Sequence, residues 1–222
     1  MSRAAPSISR IALALTALFV CASPAAASVL LLGEIDQTTL GSITGAEIVT
    51  PLNTAFDYHP SAAPLPGDGT VFSTVFEGAG AAAGQFVYVY QIDHFATSSQ
   101  VKSGGMNVAF GAVSNVAGIG EAFFVGNDSG VASPFMVFES PGQVDFMFYP
   151  FIYAGQLSHQ FGLVSPTAPS TVSALVLDSG VVDAYATVYT SSAPPIPEPA
   201  SQVLLLSGLM VVSLYGLRFA SD

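Results

Sequence analysis

Three histidines, a scatter of carboxylates and one dense aromatic stretch are the side chains in this chain that could do chemistry. Their spacing decides whether they can act together. His59, His94 and His159 stand far apart in the sequence. None belongs to an HxH or HExxH pattern, the spacings that bring two imidazoles onto one metal. Asp93-His94 and Ser158-His159 are adjacent pairs. Adjacent residues of a strand point to opposite faces, so neither pair can cooperate. No GxSxG is present, the turn that would expose a nucleophilic serine. Each histidine is expected as a turn or strand-end residue bonded to backbone.

The carboxylates are placed more suggestively. Glu34 and Asp36 alternate along the first strand-like run, and Asp68 lies in the turn "PGDG". Asn127 and Asp128, within Asn127-Asp128-Ser129-Gly130, could offer oxygen ligands for weak Ca2+ binding. The twelve-residue calcium loop is missing, and the same residue types simply make turns. No other cofactor is expected. Two carboxylates could serve glycoside hydrolysis, but no pair is singled out. The aromatic stretch is "FMFYPFIY", Phe146 to Tyr153, with five rings in eight residues. If exposed, Tyr149 and Tyr153 could rest against the apolar faces of sugar rings. If buried, the stretch is a core strand with an edge kink at Pro150. The chain has no tryptophan, the largest such platform.

The elements that must position these residues are strands. "QFVYVYQI", Gln85 to Ile92, sets Phe86, Tyr88, Tyr90 and Ile92 on one face and Val87 and Val89 on the other. Both faces are apolar, so this strand is expected in the middle of a sheet covered on both sides. Nine further runs share its composition, among them "TVFSTVFE", "PFMVFES", "QVDFMFY" and "VSALVLD". "PGDG", "GNDSG", "SPGQ" and "DSG" separate runs with turn chemistry. No segment between Val29 and Thr190 shows a helical period, and the glycines of "GAGAAAG" favour a loop. The fold class expected is all-β, an antiparallel β-sandwich of about ten short strands over residues 28–190.

Charge narrows the partners. The chain has 4 Lys+Arg against 15 Asp+Glu and a net charge of -11. Lys102 is the only basic residue between Ser28 and Ala193. Such a surface repels phosphate backbones, so nucleic acid is not an expected partner.

Both ends carry routing signals. Arg3 and Arg10 precede the apolar run Ile11 to Val20, Pro24 breaks it, and Ala25 and Ala27 are the small residues of a cleavage site before Ser28. Residues 1–27 therefore read as a signal peptide with a helical apolar segment, removed by signal peptidase. Cys21, the only cysteine, leaves with it, so the exported chain has no disulfide. At the other end, residues 191–199 are a Pro- and Ser-rich linker, and residues 200–222 an apolar tail. Ala200 to Leu217 holds no charge, and as a helix it rises ~27 Å, enough to span a bilayer core. Arg218 then stays on the cytoplasmic side, so the body lies outside and the tail holds the membrane.

Pro197-Glu198-Pro199, an apolar helix and a closing basic residue, Arg218, together resemble the PEP-CTERM sorting signal. Members usually end in several arginines, where this chain has Arg218 alone. The resemblance implies recognition by exosortase, an integral-membrane cysteine protease that cuts near the motif. It also implies a Gram-negative source, an inner-membrane intermediate, and delivery to the cell surface or the extracellular biofilm matrix, where exopolysaccharide is a partner. It implies no shared activity for the body. The expectation is an exported surface or matrix protein with a structural or binding role and no catalysis. The alternatives are a carbohydrate-binding module for exopolysaccharide, then an exported hydrolase.

Overall fold

The computed structural model describes residues 27–58, 67–98, 100, 102–178 and 183–191. The segments expected as a signal helix, a linker beyond residue 191 and a membrane-spanning tail lie outside the described residues. Among those described, no helix is long and apolar enough to cross a membrane.

The body is all-β and sandwich-like. Its strands are β1 (Ser28–Val29), β2 (Leu32–Ile35), β3 (Thr44–Glu47), β4 (Leu52–Phe56), β5 (Gly69–Gly78), β6 (Phe86–His94) and β7 (Lys102–Ala109). They continue as β8 (Ala122–Val125), β9 (Pro134–Ser140), β10 (Gln143–Tyr153), β11 (Gln156–Leu157), β12 (Phe161–Ser165), β13 (Pro169–Asp178) and β14 (Asp183–Ser191). A six-stranded sheet runs β1-β9-β10-β7-β13-β14. An eight-stranded sheet runs β2-β8-β12-β6-β5-β3, with β11 on β6 and β4 on β5.

Four strands exceed the ten runs expected. The first apolar run divides, because the chain leaves the first sheet as β1 and joins the second as β2. The short β3, β4 and β11 carry too little alternation to be read from composition. The expected antiparallel pairing also fails in one place, since β2 lies parallel to β8. A long stretch of chain separates those two strands, which is what a parallel pair requires. β14 includes Ser191, one residue into the expected linker, and the Ser191 hydroxyl accepts from the Gly111 N–H at 2.6 Å.

The inner faces of the two sheets share one core. Tyr88, Tyr90, Ile92, Phe161 and Leu163 of the larger sheet pack in one cluster with Met106, Val137, Phe146, Val176 and Val188 of the smaller. Phe146 and Phe161 meet edge to face at 4.7 Å, and Phe148 and Phe161 at 5.2 Å. The buried tyrosines keep their hydroxyls satisfied: Tyr90 donates to the Tyr189 carbonyl and Tyr88 to that of Thr167. Burial holds both phenols above their ordinary range.

A second cluster lies on the outer face of the larger sheet. Helix α1 (Gln37–Ile43) is part of its cover. Asp36 is not on the strand beside Glu34, as the alternation suggested; its carboxylate caps α1 by accepting from the Thr39 N–H at 2.7 Å. That bond holds the Asp36 carboxyl below its usual range. Leu40 and Ile43 of the helix, Ala82 from a 3-10 turn at Gly80–Ala82, and Val116 and Ile119 cover Val87, Val89, Phe123, Val125 and Val164. β6 is thus central and buried on both faces, as its two apolar faces predicted. Among the described residues, none of the six-stranded sheet enters this second cluster, and on that sheet's outer face Phe135, Tyr149, Tyr153 and Tyr185 stay exposed.

Candidate functional site

The feature that stands out is an exposed aromatic patch on the uncovered face of the six-stranded sheet. It comes from the stretch Phe146 to Tyr153, which divides residue by residue between core and surface. Phe146, Phe148 and Ile152 are fully buried. Tyr149 is 70% exposed and Tyr153 42%. Period-two alternation produces this division, with Phe146, Phe148 and Ile152 inside and Tyr149, Phe151 and Tyr153 outside; Pro150 breaks the pattern and is exposed.

Pro150 shapes the patch. β10 is not an edge strand here, because β9 pairs on one side and β7 on the other. Its pairing to β9 reaches Phe148 and its pairing to β7 resumes at Ile152, so the proline sits in a break of both ladders. A residue without an N–H is tolerated in such an interruption. Tyr149, Pro150 and Phe151 have no ladder partner.

The rings make a contiguous group. Phe135 of β9, 51% exposed, meets Tyr149 at 6.1 Å and 72°. Tyr149 meets Phe151 at 6.3 Å and 76°. Lys102 places its Nζ 3.9 Å from the centre of the Phe151 ring, and its strand partner across the ladder is Tyr153. The Tyr149 ring stands across its two neighbours, so the patch offers slots between rings rather than one flat shelf. Sequence reasoning named Tyr149 and Tyr153 but missed Phe135, Phe151 and Lys102. Phe135 comes from another strand and needs the β9–β10 register. Lys102 had a signal, as the only cation of the body.

Asn127 and Asp128 lie in the turn after β8. Asn127 adopts a left-handed conformation at φ 66. The Asp128 carboxylate accepts from the Gly130 N–H at 2.7 Å, from the Gln160 N–H at 2.6 Å, and pairs with the His159 ring. These partners tie the turn to the start of β12. His159 was expected to bond backbone and instead meets this carboxylate. Among the described residues no group of three or more His, Cys, Asp or Glu side chains converges as metal ligands would.

His94 is fully buried at the end of β6. Its Nδ1 faces the Ile152 carbonyl at 3.0 Å, and its Nε2 faces the Ser98 hydroxyl at 2.8 Å. Ser98 donates in turn to Asp68 at 2.9 Å. The order is carboxylate, hydroxyl, imidazole. A nucleophilic triad needs the imidazole in the middle and the hydroxyl open to substrate. This chain of bonds instead joins the start of β5, the end of β6 and β10. Asp93 points away from it, as adjacency on a strand requires. His59 lies outside the described residues.

Glu34, Asp36, Thr39 and Asn127 line an open polar cleft of about 350 Å³ near the start of α1. At another edge, Glu139 sits near Glu121, and burial first, then the Glu121 charge, raises its carboxyl above the usual range. Pro197, Glu198, Pro199, Arg218 and Ala25 lie outside the described residues, while Ala27 is exposed and Ser28 begins β1. In comparisons with known proteins, no family model, no curated protein and no solved structure matches this chain.

Proposed function

We propose that this chain is an exported surface or matrix protein that binds without catalysis, and that the aromatic patch is its binding face for exopolysaccharide. The observation that carries this reading is the exposure of Phe135, Tyr149 and Tyr153 together on a sheet face that no described element covers. Exposed contiguous rings of this kind mark interaction surfaces. The commitment of His94 and His159 to internal partners supports binding over catalysis.

In the same reading, signal peptidase removes residues 1–27 and the apolar tail holds the protein at the inner membrane. Exosortase then recognises Pro197-Glu198-Pro199, with Arg218 behind it, and releases the body to the surface or matrix. Two measurements test the proposal. Intact mass of the protein from its native host is expected to lack both terminal segments, and Pro197→Ala or Glu198→Ala is expected to preserve the tail. Retention on exopolysaccharide is expected to weaken in Tyr149→Ala and Tyr153→Ala while the melting temperature falls by no more than about 2–4 °C. Retention that survives both tyrosine changes removes the patch from the function.

A further inference from the structure

The single cation of the body stands at the aromatic patch. Between Ser28 and Ala193 the chain has 13 acidic residues and one basic residue, Lys102. Among the described residues the one ion pair is His159 with Asp128, so Lys102 has no carboxylate partner there. Its Nζ lies 3.9 Å over Phe151. A cation held over a ring face keeps its full charge, so the ammonium can still answer an anion. In a protein this acidic, an ammonium without a carboxylate is the exception, and it coincides with the exposed rings.

We propose that the patch takes a saccharide bearing carboxylates, the rings holding apolar sugar faces and the Lys102 ammonium selecting the acid. This rests on the glycan-binding reading and adds the ligand class to it. Charge complementarity carries the assignment, and it must outweigh repulsion from the body's net negative charge. At physiological ionic strength the screening length is about 8 Å, so a carboxylate in contact with Lys102 feels that contact and little of the opposite sheet. One ammonium answers one carboxylate. The ligand therefore carries its acids spaced along the polymer, as a heteropolysaccharide with uronic acid side chains does.

The test compares one polymer with and without its acid: xanthan, which bears glucuronate, and xanthan with its carboxyls reduced to alcohols. The full chain is held in nonionic detergent at near-physiological salt, and binding is read by retention on polymer-coated beads. Wild type is expected to bind the acidic form about two- to fivefold more tightly, the range of an exposed ion pair. Lys102→Met removes the ammonium and is expected to erase that preference. Lys102→Arg is expected to restore it. Equal binding of wild type to both polymers overturns the selection by Lys102 and leaves the glycan reading standing. A preference that persists in Lys102→Met also overturns it. Folded protein that binds neither polymer sinks both readings. So does sedimentation showing a dimer that Tyr149→Ala dissociates, since the patch would then be a self-contact.

Discussion

Phe148 and Tyr149 are neighbours in sequence, and their replacement by alanine should have opposite consequences. Phe148 is 1% exposed and packs edge to face on Phe161 at 5.2 Å, within the cluster shared by both sheets. Deleting a buried phenylalanine side chain costs about 3–5 kcal/mol, transfer and cavity together. For a body of this size about 1 kcal/mol moves the melting temperature by about 2–4 °C, so Phe148→Ala should lower it by about 6–20 °C. Tyr149 is 70% exposed and forms T-shaped pairs with Phe135 and Phe151. Aromatic pairs contribute about 0.5–1.5 kcal/mol at best, and exposure reduces that, so Tyr149→Ala should cost about 1 kcal/mol or less, about 2–4 °C. Thermal unfolding followed by circular dichroism on the full chain separates the two. The decisive quantity is the difference between neighbours, because expression level, tail and detergent are common to both variants. A loss in Tyr149→Ala equal to that in Phe148→Ala would put the Tyr149 ring in the core. The division of the stretch into inner and outer faces would then be wrong, and with it the binding face.

Other perturbations follow from the same contacts. Gly162 lies in β12 where a Cβ would stand 1.9 Å from the Tyr88 carbonyl oxygen, so Gly162→Ala should force β6 and β12 apart. A cost of about 1–3 kcal/mol or more is expected, visible as a lower urea midpoint; an unchanged midpoint refutes the close approach. Asp128→Ala removes a carboxylate that accepts two N–H bonds and pairs with His159, and should cost about 2–4 kcal/mol. Because those oxygens are already engaged, millimolar Ca2+ should leave the wild-type melting temperature in place. A rise in wild type that Asp128→Asn abolishes would put a cation there. Glu139 has its carboxyl raised, first by burial and then by Glu121, so the folded state binds its proton more tightly than the unfolded chain does. The associated stability is fully present below the unfolded value and is lost as pH rises through the folded one. Glu139→Gln should therefore stabilise the protein at about pH 7 and have little effect at about pH 4, read as urea midpoints. Equal shifts at both values would rule out the electrostatic cause.

The fold class was legible before any coordinates, because it rests on local patterns. The central position of β6 followed from two apolar faces at period two. The β9–β10 turn followed from "SPGQ", where Gly142 takes φ 77 between the paired residues Ser140 and Gln143. Helix α1 was not legible as such, although Asp36 ahead of Leu40 and Ile43 is a capping signal. Its seven residues include two threonines and Gly41, which weaken a helical reading, and packing on the larger sheet stabilises it instead.

The sequence by itself determined that the body is a strand-built, acidic domain bearing an aromatic-rich segment. Alternation, turn residues and charge are properties of neighbours along the chain, and they act before any long-range contact forms. Only the tertiary structure decided which rings face solvent. Strand order brings Phe135 and Lys102 to Tyr149, Phe151 and Tyr153, and the helix covers the other sheet, leaving this face open. Those are pairings between residues far apart in the chain, decided by which faces can be buried together. No local pattern encodes them.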